Sequence, residues 1–162
     1  MTDTTIDRRF LLAGGTALLF APLVGCGTRG LSGDGERMTR DAASAFAEIR
    51  RTNALGAIRA DRELETAALE QAGHMARAGK MAHDTGWGRD FATRMGRVTT
   101  NGSAAENLAR GRFDTARVMS VWMNSPGHRR NMLDPRFGRF GLAYVVDPTD
   151  PSRRYWAMVL AA

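Results

Sequence analysis

Cysteine is nearly missing from this chain. Its one thiol, Cys26, leaves no pair from which an internal disulfide could form, so the fold has to be held by packing and polar contacts alone. Lysine is as scarce, with Lys80 the single lysine among 23 basic residues. That lopsided ratio reads as codon bias rather than as selection for phosphate contacts. The formal net charge is +6, yet arginine pairs such as Arg50-Arg51, Arg129-Arg130 and Arg153-Arg154 lie scattered among acidic residues. No basic stripe interleaved with aromatics is present, which argues against a nucleic-acid groove. No apolar run reaches the length of about 20 residues that a membrane-crossing helix needs. There is no internal repeat, no His-Glu-x-x-His, no Gly-x-Ser-x-Gly elbow and no glycine-rich phosphate loop after a strand.

What is present is the composition of a soluble globular domain, 43% apolar and 25% charged. At 162 residues one folded domain is expected. Residues 1–25 stand apart from it. Arg8-Arg9 precede the apolar run from Phe10 to Val24, the layout of an export signal. Arg8-Arg9-Phe10-Leu11-Leu12 is similar to the twin-arginine pattern, with a general secretory signal as the alternative. Leu23-Val24-Gly25-Cys26 resembles a bacterial lipobox. Cys26 directly follows the signal and precedes a Gly/Ser-rich stretch, so it is expected to carry lipid rather than to be a buried thiol. The division expected is a signal at 1–25, the lipidated Cys26 with a flexible linker to residue 38, and a folded domain over 39–162.

Within that domain the pattern is helices first, strands later. Asp41 is a candidate cap for a helix reaching Ala54, with Ala42, Ala45, Phe46 and Ile49 at helical spacing. Asp61 can cap a second helix through Ala78, which Gly79 stops. Residues 84–103 read mostly as loop, with a short helix over Asp90–Met95. Asp114 opens a third long helix that directs Val118, Val121 and Trp122 inward and ends near Ser125-Pro126. Phe140–Val146 and Tyr155–Leu160 read as strands, and Asp147–Arg154 as an exposed hairpin loop. This order predicts an α+β fold built in layers around an antiparallel sheet.

Three histidines are available for chemistry. His74 follows Glu70 by four residues, and a surface pair accounts for it. His83 lies just past a helix end beside a glycine-rich loop, His128 lies in the Ser125–Asn131 turn, and Glu106 interrupts a small, apolar run. Two imidazoles and a carboxylate could hold zinc with an open fourth position, although their wide separation in sequence gives that idea no support. Ser125 with His128 could suggest a nucleophile and its base, but a Ser-Pro turn capping a helix explains Ser125 as well.

Two ordered motifs are more specific. Ala105-Glu106-Asn107-Leu108-Ala109-x-Gly111 is followed by Trp122-Met123-Asn124-Ser125-Pro126-Gly127-His128-Arg129-x-Asn131-Met132-Leu133. With His83, Phe137-x-x-Phe140-Gly141 and Tyr155-Trp156, this combination closely resembles the CAP superfamily over residues 40–162. That superfamily comprises cysteine-rich secretory proteins, antigen-five allergens and pathogenesis-related proteins, and the form here is similar to its bacterial, SCP-like branch. The resemblance implies a three-layer α-β-α sandwich with a central antiparallel sheet and a large open cleft. It implies a cleft tetrad of two histidines and two acids that binds a divalent metal such as zinc in some members. His83, Glu106 and His128 match three of the four, and Ser125 stands where the second acid normally lies. Asn107, Trp122 and Asn131 belong to the motif as structural residues.

The function expected from these features is an envelope-tethered, non-enzymatic binding module. It would be exported, held to the membrane through lipid on Cys26, monomeric, without a nucleic-acid partner, and able to take a lipid, envelope polymer or protein in its cleft. The alternative is a zinc-dependent hydrolase or peptidase using His83, Glu106 and His128, with Asp84 as a candidate base.

Overall fold

The computed structural model describes residues 34–98 and 102–162. The signal and Cys26 therefore lie outside the described residues. Among the described residues no helix is long and apolar enough to cross a membrane.

Two long strands form the centre. β4 (Arg139–Asp147) and β5 (Asp150–Ala161) make an antiparallel hairpin, and β3 (Ala104–Gly111) pairs antiparallel with the far side of β5. The other side of β4 carries β1 (Gly35–Arg37), antiparallel, and the two-residue β2 (Arg59–Ala60), parallel. The sheet order is β1-β4-β5-β3, which leaves β3 as an edge strand.

Alternation along β5 assigns the layers. Tyr155, Ala157, Val159 and Ala161 join Leu64, Ala68, Ala72 and Met75 of α2 (Arg62–Ala78) in one apolar cluster. Trp156, Met158 and Leu160 face the opposite way. They pack with Phe46 of α1 (Thr39–Thr52), with Trp122 and Met119 of α4 (Thr115–Met123) and with Met132 of α5 (Pro126–Met132). A strand buried on both faces needs apolar side chains at every position, and β5 supplies them from Tyr155 onward. The result is the expected three-layer α-β-α sandwich, with the short α3 (Phe91–Met95) beside α2.

Several local signals act as the sequence suggests. Asp61 accepts hydrogen bonds from the Glu63 and Leu64 amides, and Gly79 closes α2 in the left-handed conformation at φ 65°. Asp90 and Asp114 cap α3 and α4 through the Thr93 and Arg117 amides.

Others differ. α1 begins at Thr39, so Asp41 lies in its first turn, where a carboxylate favours the helix dipole, and caps nothing. On α4 it is Met119 that is fully buried and Val121 only partly so. Ser125 occupies the N-cap position of α5, but its side chain makes no capping bond. Gly35–Arg37, within the stretch expected to be linker, form a strand against β4, and the Arg37 side chain bonds to Thr66 of α2 at 3.0 Å.

The exposed loop expected over Asp147–Arg154 shrinks to a two-residue turn at Pro148-Thr149. Asp147 is buried there, taking hydrogen bonds from Thr149 Oγ1 at 2.7 Å and from Arg110 at 2.6 Å. Those bonds, Thr149 first, hold its carboxyl well below the usual range against the opposing effect of burial. His74 is likewise buried rather than on the surface. Arg77 can only donate, so its 2.6 Å bond makes His74 Nδ1 the acceptor and leaves Nε2–H facing Glu70 at 3.4 Å. Burial, then Arg77, pushes this imidazole's pKa down, which favours the neutral ring.

Gly141 on β4 fixes how closely α2 approaches the sheet. A Cβ there would lie 2.0 Å from the Glu65 amide nitrogen and 2.1 Å from the Leu64 carbonyl carbon. Backbone cannot yield as a flexible side chain can. Gly141→Ala is expected to lower stability in denaturant unfolding by about 3 kcal/mol through overpacking. Gly138→Ala, with nothing within 4 Å of its Cβ, is the control and stays within about 0.5 kcal/mol of the parent.

Candidate functional site

The site is built on the edge strand. Glu106 opposes Val159 across the ladder and therefore points to the α2 face, whereas Asn107 opposes Met158 and points to the face carrying α4 and α5. Adjacent residues of β3 thus reach both helical layers.

On the α2 face Glu106 meets two partners. His83, in the loop after α2, is bonded through Nδ1 to Glu106 Oε1 at 2.8 Å. Arg94 of α3 donates from Nη2 to Glu106 Oε2 at 2.6 Å. The Glu106 and Arg94 side chains are each only 1% exposed, whereas the His83 side chain is 60% exposed. A carboxylate only accepts, so Nδ1 of His83 carries the proton, and Nε2 is the ring nitrogen left for a ligand.

Arg94 holds the backbone as well. Its Nη1 donates to the His83 carbonyl at 3.3 Å and to the Arg89 carbonyl, so one guanidinium fixes both the loop bearing His83 and the carboxylate that orients its ring. Gln71 of α2 adds a bond to the Ala82 carbonyl at 2.6 Å. Sequence reasoning missed Arg94. In a chain with so many arginines nothing marks one of them.

On the other face Asn107 donates to the His128 carbonyl at 3.1 Å and accepts from Asn131 Nδ2 at 2.9 Å. Asn131 Nδ2 also reaches the Glu106 carbonyl at 3.5 Å, and the Trp122 indole donates to the Leu108 carbonyl at 3.0 Å. Residues 106 and 108 share a parity, and their carbonyls face away from β5. The Trp122 and Asn131 side chains therefore satisfy an edge that would otherwise be open to another strand. The structural residues of the motif close the sheet while tying α5 to β3.

His128 sits in the first turn of α5. Burial, and then the nearby His83, lowers its pKa and favours the neutral ring. Its Nδ1 is buried and makes no hydrogen bond among the described residues. His83 and Glu106 are thus in direct contact, and His128 lies near enough to His83 for a proton on that ring to disfavour one on its own. Ser125 makes no side-chain bond to any of them. Asp84 is turned into its own loop, accepting from the Gly86 amide at 2.8 Å.

In this arrangement Glu106 is not free to act as a direct ligand beside His83 and His128, because one of its oxygens is bonded to His83 Nδ1 and the other to Arg94 Nη2. A different division does fit. A carboxylate behind a histidine, accepting from the ring nitrogen that does not bind, is a usual outer-shell partner of a metal-ligating imidazole.

A three-layer sandwich with a histidine–carboxylate pair at the edge of its antiparallel sheet defines the class of protein. The family model of the cysteine-rich secretory protein family, CAP, matches residues 43–160, and the chain belongs to that family. Solved structures with this fold include an outer surface protein of Borrelia burgdorferi, with TM-score 0.68 and 21% identity over 80% of this chain and 97% of that one. Another is an extracellular SCP-domain protein of Bacillus anthracis, with TM-score 0.66 and 22% identity over 76% of this chain and 39% of that one. YkwD of Bacillus subtilis is 46% identical over 43 residues, which span 26% of this chain and 17% of that protein.

If Arg94 neutralises a buried carboxylate, Arg94→Met should lower unfolding stability by about 3–5 kcal/mol, because it leaves an unpaired buried charge. The exposed neighbour tests specificity, and Arg89→Met should change stability by less than about 0.5 kcal/mol.

Proposed function

We infer that this chain is an exported, envelope-tethered CAP-domain protein whose cleft binds a ligand without turning it over. The single observation that carries the reading is the state of Glu106. Its two oxygens are committed to His83 and Arg94, so the carboxylate serves to orient an imidazole and is not held ready as a general base. Ser125 in place of the family's second acid removes another candidate base, and Asp84 is engaged by its own loop.

Export is supported by the signal-like residues 1–25 and the lipobox-like Leu23–Cys26. It is supported too by the outer-surface and extracellular descriptions of the Borrelia and Bacillus anthracis proteins. Lipid on Cys26 would supply the tether, and stable anchoring of this kind takes more than a single acyl chain. The cleft ligand is a lipid, an envelope polymer or a protein. A divalent metal, where one takes part, would be held by His83 Nε2 and the His128 ring with Glu106 behind His83, and it would supply Lewis acidity toward a bound ligand.

The test is the full chain purified without chelator, offered zinc, and assayed against peptide and ester substrates beside the His83→Ala/His128→Ala double variant. No turnover is expected that the double variant removes, whatever its zinc content. Hydrolysis that disappears in the double variant would overturn the binding reading and establish the zinc-dependent hydrolase.

A further inference from the structure

Among the described residues two large apolar side chains are exposed, and both lie in the one loop between α2 and α3. Met81 is half exposed and Trp87 fully so. Other large apolar side chains are at least partly covered, Trp122 and Trp156 completely. A tryptophan in water leaves a large apolar surface unburied, yet the local structure presents it. Gly86 and Gly88, at φ 141° and 68°, flank Trp87, and the Arg89 amide bonds to the Gly86 carbonyl at 2.9 Å to close the turn beneath it. His83 lies between the two apolar residues in the chain.

We propose that this loop docks the domain on an anionic membrane surface, with Trp87 and Met81 entering the headgroup region, so that the His83 side of the cleft faces lipid. Charge complementarity favours this occupant. Arg77, Lys80 and Arg89 are exposed cations in or next to the loop, against the carboxylates Asp84 and Asp90, and the exposed Arg97 just beyond α3 is paired with Glu70. An indole at an interface buries its ring while keeping its N–H wet, and basic residues near the surface are drawn to anionic headgroups. The reach of the chain adds to the argument, resting here on the tether reading above. The eight steps from Cys26 to Asp34 span at most about 28 Å, so lipid on Cys26 holds the domain at the membrane and raises the effective concentration of a weak patch.

The experiment exploits the burial of the other two tryptophans. The full chain is reconstituted into phosphatidylglycerol/phosphatidylcholine vesicles whose acyl chains are brominated, and tryptophan emission is compared with unbrominated vesicles. Trp87→Ser identifies the responding residue, and a mass spectrum reads acylation of Cys26 separately. Docking predicts that Trp87 emission is roughly halved by bromine and that the effect weakens in Lys80→Glu/Arg89→Glu or with neutral lipid alone. Unquenched Trp87 on an acylated chain would overturn the docking while leaving the tether intact. Quenching without acylation would uphold the docking and remove the tether. Trp87 shielded from iodide by a glycan or protein partner, and unquenched by lipid, would also overturn it.

Discussion

Strand β3 has a sheet partner on one side only, and the molecule is arranged around what its other side requires. An edge strand leaves outward carbonyls without partners, and here the Trp122 indole and the Asn131 amide reach those of Leu108 and Glu106. Because side chains alternate along a strand, the same segment sends Glu106 to the α2 layer and Asn107 to the α4–α5 layer. Neighbouring residues thereby tie both helical layers to one point. Glu106 draws in His83 and Arg94, and Asn107 holds the start of α5, where His128 sits. The site follows from closing the sheet edge.

The electrostatics of that point set its chemistry. Glu106 is buried and would be costly without a counter-charge, and Arg94 supplies one from an equally buried position. With the pair neutralised, two imidazoles remain, one exposed and one pushed toward neutrality by burial. A carboxylate so engaged is an orienting group. Glu106 stands behind His83, bonded to its Nδ1 and to Arg94.

Much of this was legible in the sequence. Helix ends written by a single side chain could be read directly, as at Asp61, Gly79, Asp90 and Asp114, since each rests on local bonds. The motif around Glu106-Asn107 and Trp122–Asn131 pointed to the family to which the chain belongs. The rest depends on contacts distant in sequence. β3 shows no clear alternation, because its polar residues are satisfied by other layers rather than by water. β1 and β2 are three and two residues long and form only by pairing with β4, which is distant in sequence. The turn at Asp147 looked like an exposed loop because a buried aspartate held by Thr149 and Arg110 has the same composition as a solvated one. Arg94 carried no signal at all.

The pairing of Arg94 with Glu106 is the contact on which the site depends, and a double-mutant cycle in denaturant unfolding measures it. Arg94→Met, Glu106→Gln and the double variant are compared with the parent chain. The prediction is a coupling of about 2 kcal/mol or more, with the double variant more stable than Arg94→Met alone because the orphaned charge is gone. Additive losses, with Glu106→Gln giving no relief to Arg94→Met, would contradict the claim that Glu106 is held internally and would return it to the ligands of the cleft.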